Sequence, residues 1–258
     1  MNGGSRPRRA PAGVVGPAIA ALIVLAGLIG LGNWQLDRKA WKEALIATLG
    51  QRLAAAPSEL PPPQAWPSLD PAQDEYRRVR FAAEVLPDAE ALVFTSGSAF
   101  RPDVSGPGYW VFAPARLSGG GLVVVDRGFV PEGRQDKATR AAGEVAGRLD
   151  MVGVMRWPEQ AGWFLPQADP GHNLWFLRDP QAIARAKSWG EVAPFYIELE
   201  SPQPPGGLPR PGPLQVNLPD DQLQYAITWF GLAAVLAVSF VFWLWSRWRE
   251  GNSASSGM

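Results

Sequence analysis

Residues 10–36 read APAGVVGPAIAALIVLAGLIGLGNWQL, a run of about 27 positions without one charged side chain. Its centre, Val14 to Leu31, is almost wholly Ala, Ile, Leu, Val and Gly. A helix of about 20 apolar residues crosses the roughly 30 Å hydrocarbon core of a bilayer, so this run predicts a membrane span. Residues 222–246, QLQYAITWFGLAAVLAVSFVFWLWS, repeat the pattern, with Tyr225, Trp229, Trp243 and Trp245 near the ends, where aromatic belts sit. Arg6, Arg8 and Arg9 precede the first run, and Arg247 and Arg249 follow the second. The positive-inside rule then puts both termini in the cytoplasm or its matrix equivalent, with the middle of the chain outside. A cleaved signal peptide is the rival reading of the first run. It calls for a shorter apolar core and a small-residue cleavage site, and neither is obvious around Gly30 to Gln35.

The sequence thus divides into a cytoplasmic N-terminus (1–13), a span (14–33), an extracytoplasmic β-rich domain (34–221), a second span (222–246) and a cytoplasmic C-terminus (247–258). The plasma membrane of a bacterium, or the mitochondrial inner membrane, suits this arrangement. In the domain, Trp34 to Leu53 mixes charges with Trp41, Leu45, Ile46 and Leu49 near helical period, so the first helix runs on past the membrane. Pro57 to Pro71 and Ser201 to Pro219 are proline-rich and read as extended linkers. Strand signals lie at Arg78 to Val85, Ala91 to Thr95, Tyr109 to Leu117, Leu122 to Val130, Val145 to Arg156 and Phe195 to Glu200. Ser118 to Gly121 reads as a hairpin loop, and Asp179-Pro180 opens one short helix. The expected class is a membrane-anchored α+β protein, two helices flanking a mainly antiparallel sheet or partly closed barrel.

Composition excludes several function classes. Lys+Arg and Asp+Glu are 24 each, which gives no field to gather a nucleic acid. With no cysteine, disulfides, thiol redox chemistry and thiolate metal sites are ruled out. The one histidine, His172, excludes a multi-imidazole metal centre. No catalytic motif is recognisable, and carboxylates such as Asp126, Glu132 and Asp136 read as surface charge. No catalytic residue and no metal site is assigned.

Four blocks, in order, resemble the surfeit locus protein 1 family of membrane proteins that assist cytochrome c oxidase biogenesis. Leu31-Gly32-Asn33-Trp34-Gln35-Leu36-Asp37-Arg38-Lys39-Ala40-Trp41-Lys42 is similar to the family's Gly-x-Trp-Gln-x-x-Arg-x-x-Trp-Lys. Gly106-Pro107-Gly108-Tyr109 followed by Val124-Val125-Asp126-Arg127-Gly128-Phe129-Val130-Pro131 matches its Arg-Gly-aromatic-aliphatic-Pro signature. Trp175-Phe176-Leu177-Arg178-Asp179 is the third block, and Leu223-Gln224-Tyr225-Ala226-Ile227-Thr228-Trp229-Phe230 the fourth. The resemblance implies a non-catalytic biogenesis factor for the haem a-containing oxidase subunit, binding haem a or the nascent subunit, with other assembly factors and membrane lipid as further partners. It also implies a haem-ligating histidine at the second span, where this chain carries Gln222, while Asn217 stands for the family's Asn. Glutamine is a poor iron ligand beside imidazole.

Each candidate cofactor residue has a plainer explanation beside it. Tyr225 and Trp229, four apart, share a helix face that would flank a porphyrin edge or sit in the aromatic belt. Arg38 and Arg127 suit haem propionates or ordinary ion pairs. His172, in the turn Asp169-Pro170-Gly171-His172-Asn173, is a haem ligand or an exposed loop side chain. Gly32, Trp34, Gln35, Trp41, Gly128, Pro131, Gln222 and Thr228 are motif positions; interfacial anchoring explains Trp34 and Gln35, and a strand end explains Gly128 to Pro131. Rival functions are an assembly scaffold that binds no haem and a membrane-anchored extracytoplasmic enzyme.

Overall fold

The computed structural model describes residues 13–86, 88–216 and 221–253. Arg6, Arg8, Arg9, Asn217, Pro219 and Asp220, on which parts of the sequence reading rest, lie outside the described residues. The chain forms two compact units, residues 1–45 with 219–258, and residues 46–218.

Helix α1 spans Val15–Ala54, 40 residues without a break. At about 1.5 Å per residue that is roughly 60 Å, twice the hydrocarbon core, so the charged second half lies beyond it. Helix α4, the last among the described residues, spans Gln222–Ser253. Both are long and apolar enough to cross a membrane. On α4 the buried Ala226 and Ala233 lie at i and i+7. Such small residues let helices approach closely without help from a hydrophobic effect between them. Gly32 of α1 is buried for the same reason, since a Cβ built there would lie 2.6 Å from the ring of Phe230. Gly32→Leu therefore wedges the helices apart and should lower stability in detergent by about 1–3 kcal/mol. Adding Phe230→Ala should restore part of the thermal midpoint; no recovery would place the damage elsewhere.

In the second unit the strands are β1 Ser58–Glu59, β2 Arg78–Val85, β3 Ala91–Gly97, β4 Ser105–Leu117, β5 Leu122–Pro131, β6 Arg148–Arg156, β7 Leu174–Trp175 and β8 Tyr196–Ser201. Pairing runs β2–β6–β8–β5–β4 and returns from β4 to β2, which closes a ring; β3 extends along the other half of β4 and carries β7. The sheet is mixed: β5–β8, β3–β7 and β1–β2 are parallel and the other pairs antiparallel. One alternating set of side chains from all five ring strands, including Phe81, Ala115, Val125, Met155 and Ile197, fills the interior. The opposite face of β4, β5 and β8 presents Trp110, Phe112, Val124 and Tyr196 to a second core, which includes Ile183 and Ala184 of helix α3 (Pro180–Lys187). α3 starts as its sequence dictates, with Asp179 Oδ1 accepting from the Ala182 amide at 2.9 Å and proline in first position.

The two proline-rich stretches are not free linkers. Residues 57–71 supply β1, a 3₁₀ turn at Pro63–Ser68 and the start of helix α2 (Pro71–Asp74). Proline is compatible with this because Pro63 and Pro71 each take a first helical position, where no amide donor is needed. Trp66 then packs edge-on against Phe195, centroids 5.7 Å apart. In the second stretch Arg210 exchanges two backbone hydrogen bonds with Phe129, at 2.9 and 3.0 Å, and the Gly212 amide donates to the Leu199 carbonyl. Extended proline-rich chain keeps its carbonyls and its non-proline amides, and these tie it to the barrel.

Candidate functional site

The residues singled out by sequence fall into both units. In the membrane unit, Trp34 is exposed and lies under the Arg38 guanidinium, 5.8 Å from its ring centroid. Gln35 is half-buried and Trp41 exposed. Tyr225 is 56% exposed, and Trp229, one turn on, is half-buried. Thr228 Oγ1 donates to the Gln224 carbonyl at 2.9 Å, a bond within the helix. Gln222 stands at the first position of α4, its Oε1 buried and without a hydrogen-bond partner among the described residues.

In the β unit, Arg127 to Pro131 is an architectural strut. Arg127 donates through Nη1 to Glu144 at 3.0 Å and through Nη2 to the Gly143 carbonyl at 2.9 Å. Gly128 has φ +120°, and a Cβ there would sit 2.2 Å from the Arg210 carbonyl carbon. Pro131 pairs with Gly108 in the ladder, and Gly108 is required because its Cβ would meet the Phe129 ring at 2.4 Å. His172 is exposed, and its Nδ1 lies 2.7 Å from Asp169 Oδ2. That contact, with further bonds from the loop, holds the Asp169 carboxyl below its usual range.

Beside this strut lies a network the sequence did not announce. Asp126 is not a surface charge: it is fully buried, opposite Glu198 on the neighbouring strand. Its place inside an apolar run buried on both faces was the available signal. Its carboxylate accepts from the Gly128 amide at 2.9 Å. Glu198 Oε2 accepts from Arg156 at 3.3 Å and Arg178 at 3.4 Å. Arg178 stacks over Trp110 at 4.6 Å and Arg156 over Tyr76 at 4.5 Å, so both guanidinium planes are packed as well as paired. Burial raises the Tyr196 hydroxyl well above its ordinary value. Arg156 and Arg178, although opposed by burial, are held charged by Glu198 and their neighbours.

Burial, and next the Glu198 charge, push the Asp126 carboxyl up to about 7. The folded state therefore keeps a proton that the unfolded chain, with its ordinary value of 3.8, releases. Stability contributed by this group falls as pH rises between those values and is level outside them. Asp126→Asn retains an acceptor for the Gly128 amide and should flatten that slope, leaving the variant relatively more stable at pH 8 than at pH 4. Thermal midpoints of both proteins across this range check it; parallel curves would contradict it.

A cleft of about 290 Å³ opens on the same side, lined by Phe94, Phe100, Trp110, Phe176, Arg156, Arg178 and Glu159 among others. Asp126 and Glu198 do not line it, so the coupled carboxylates have no direct access to a ligand there. Among the described residues no group of three His, Asp or Glu side chains is placed to hold a metal ion.

Arg38, Gln222, Tyr225 and Trp229 are thus brought into one unit and Arg127 and His172 into the other. The sequence profile of the SURF1 family matches residues 22–234, a stretch that takes in all four motif blocks and the whole barrel. The chain belongs to the SURF1 family. It is 35% identical over 243 residues to a SURF1-like protein of Monosiga brevicollis, covering 90% of this chain and 88% of that one. Surfeit locus protein 1 of Rattus norvegicus is 32% identical over 237 residues, covering 88% of this chain and 73% of the relative. The Homo sapiens protein of the same name is 30% identical over 226 residues, covering 83% and 72%. For a SURF1 family member, two of the motif blocks have a visible structural basis here. The first glycine admits Phe230, and the Arg-Gly-Phe-Val-Pro block binds strand β5 to the returning chain at Arg210.

Proposed function

We propose that this chain is an assembly factor for the haem a-containing subunit of a terminal oxidase, and that it works by holding the nascent subunit rather than by turnover. Membership of the SURF1 family over residues 22–234 carries the proposal. Two spans around one barrel supply what a membrane-embedded client requires, a lipid-facing helix pair joined to a rigid folded unit. With Arg247 and Arg249 at the far end of α4, and Arg6, Arg8 and Arg9 before α1, the barrel stands on the periplasmic or intermembrane side.

The donor set does not fit axial haem ligation by this chain. Gln222 stands where the family's histidine is placed, and His172 is engaged by Asp169 in an exposed loop of the other unit. An amide oxygen is a weak partner for haem iron. A scaffold that stabilises the subunit while haem a is inserted by its own chemistry accommodates both observations. Arg38, Tyr225 and Trp229 are then contacts to lipid or client.

Two experiments test this. A tagged chain purified in mild detergent from membranes should bring down the haem a-carrying subunit, and bring it down equally from cells unable to make haem a. Recovery only when haem a is present would replace the scaffold reading with haem-dependent binding. Gln222→Ala should support wild-type levels of oxidase; loss of the haem a signal in that variant would show that Gln222 has a role the scaffold reading denies it.

A further inference from the structure

We infer that the loop Gln160–Ala168 is a membrane-contact element whose tip, Trp163-Phe164-Leu165, enters the interfacial layer of the bilayer. Trp163 is 101% exposed, Phe164 99% and Leu165 39%, although they are three consecutive large apolar residues. Single exposed apolar side chains are ordinary on a soluble surface, but a contiguous, uncovered aromatic tip is not.

The loop is built to present this tip. At its feet, the Glu159 amide donates to the Arg178 carbonyl at 3.3 Å, and Asp169 and Leu174 exchange backbone hydrogen bonds at 2.8 and 2.9 Å. At its end the Leu165 amide donates to the Gly162 carbonyl at 3.3 Å, closing a turn followed by Pro166. With fixed feet and a closed turn, Trp163 and Phe164 stand clear of the core while Leu165 is partly covered.

Lipid is the occupant that the chemistry favours. Between Glu159 and Asp169 there is no charged residue, so nothing at the tip opposes entry into an apolar phase or requires an ionic partner. Indole is the side chain best suited to the headgroup level, where its ring is apolar and its N–H finds an acceptor. The same chain carries two helices able to cross a membrane, so a bilayer is the apolar phase at the highest effective concentration around the loop. An attraction of this kind is insensitive to salt, unlike one that depends on basic residues and anionic lipid.

The absence of cysteine makes the test clean. Leu165→Cys keeps both aromatics and takes a single environment-sensitive fluorophore; Gln181→Cys, on the exposed face of α3, is the control. In full-length protein reconstituted into phosphatidylcholine nanodiscs, the label at 165 should emit to the blue of the control. Spin-labelled lipid should quench it, and high salt should leave it unchanged. Trp163→Ser with Phe164→Ser should abolish the shift and the quenching while leaving the thermal midpoint unaltered, because neither side chain packs in the fold. A label at 165 that emits like the control overturns the inference. So does one that is blue-shifted but unquenched by lipid, which would put a protein surface over the loop instead.

Discussion

Gly128→Val should prevent the β unit from reaching its native state, with a loss above about 4 kcal/mol, the range reserved for substitutions that break a packed structure. Two effects add. The backbone at Gly128 has φ +120°, a conformation that a β-branched side chain does not adopt without strain. The Cβ itself would lie 2.2 Å from the carbonyl carbon of Arg210 and 2.3 Å from its oxygen, both backbone atoms that no rotamer change can move. The only relief is to part the Phe129–Arg210 bridge, which takes with it the paired backbone hydrogen bonds on either side. Loss of near-ultraviolet circular dichroism, with helical signal from the spans retained, is the expected signature. A cooperative unfolding transition at the wild-type midpoint would contradict it.

Arg178→Ala should destabilise the same unit by about 3 kcal/mol, because removing one of the two guanidinium groups on a buried carboxylate leaves that charge only partly compensated. Glu198 is almost fully buried and shares its Oε2 between Arg156 and Arg178. Deleting Arg178 also empties the space over Trp110. The charge component is separable from the packing component: Glu198→Gln in the Arg178→Ala background should recover a substantial part of the loss. A full additive loss in the double variant would show that Arg178 acts through its packing on Trp110 alone. Arg178 lies in the Trp175 to Asp179 block, so that motif reaches the barrel through its ion pair with Glu198, a role its sequence does not disclose.

What was legible in the sequence was what depends on neighbours along the chain. Uncharged runs gave the two spans, alternation at Arg78 to Val85 gave β2, and Asp179-Pro180 gave the start of α3. Long-range pairing left no such mark. The parallel contact of β5 with β8 joins Val124 to Tyr196 across two intervening strands and helix α3, and nothing in either segment specifies the partner. Ring closure likewise depends on β4 being long enough to pair with β3 at one end and β2 at the other. The proline-rich stretches misled because proline limits only its own torsion and amide; Arg210 and Gly212 retain the amides that bind the chain to β5 and β8.

The candidate site was legible to a similar degree. Gly32 and Gly128 stood out in motifs, and the structure supplies the close approaches that require them, at Phe230 and Arg210. Asp126 departs from the sequence expectation because a carboxylate is normally solvated; its burial follows from the strand's second face being covered by α3 and its surrounding core. The exposed tip at Trp163 to Leu165 lies in a turn-rich stretch with no periodicity, and only the fold shows that Trp163 and Phe164 are left uncovered.

The most direct test of the assembly role is to delete the gene in its own host and record reduced-minus-oxidised spectra of the membranes alongside terminal oxidase activity. The account predicts selective loss of the haem a signal and of that activity, with other cytochromes retained and both defects reversed by the wild-type chain. An unchanged haem a signal with normal oxidase activity would contradict it.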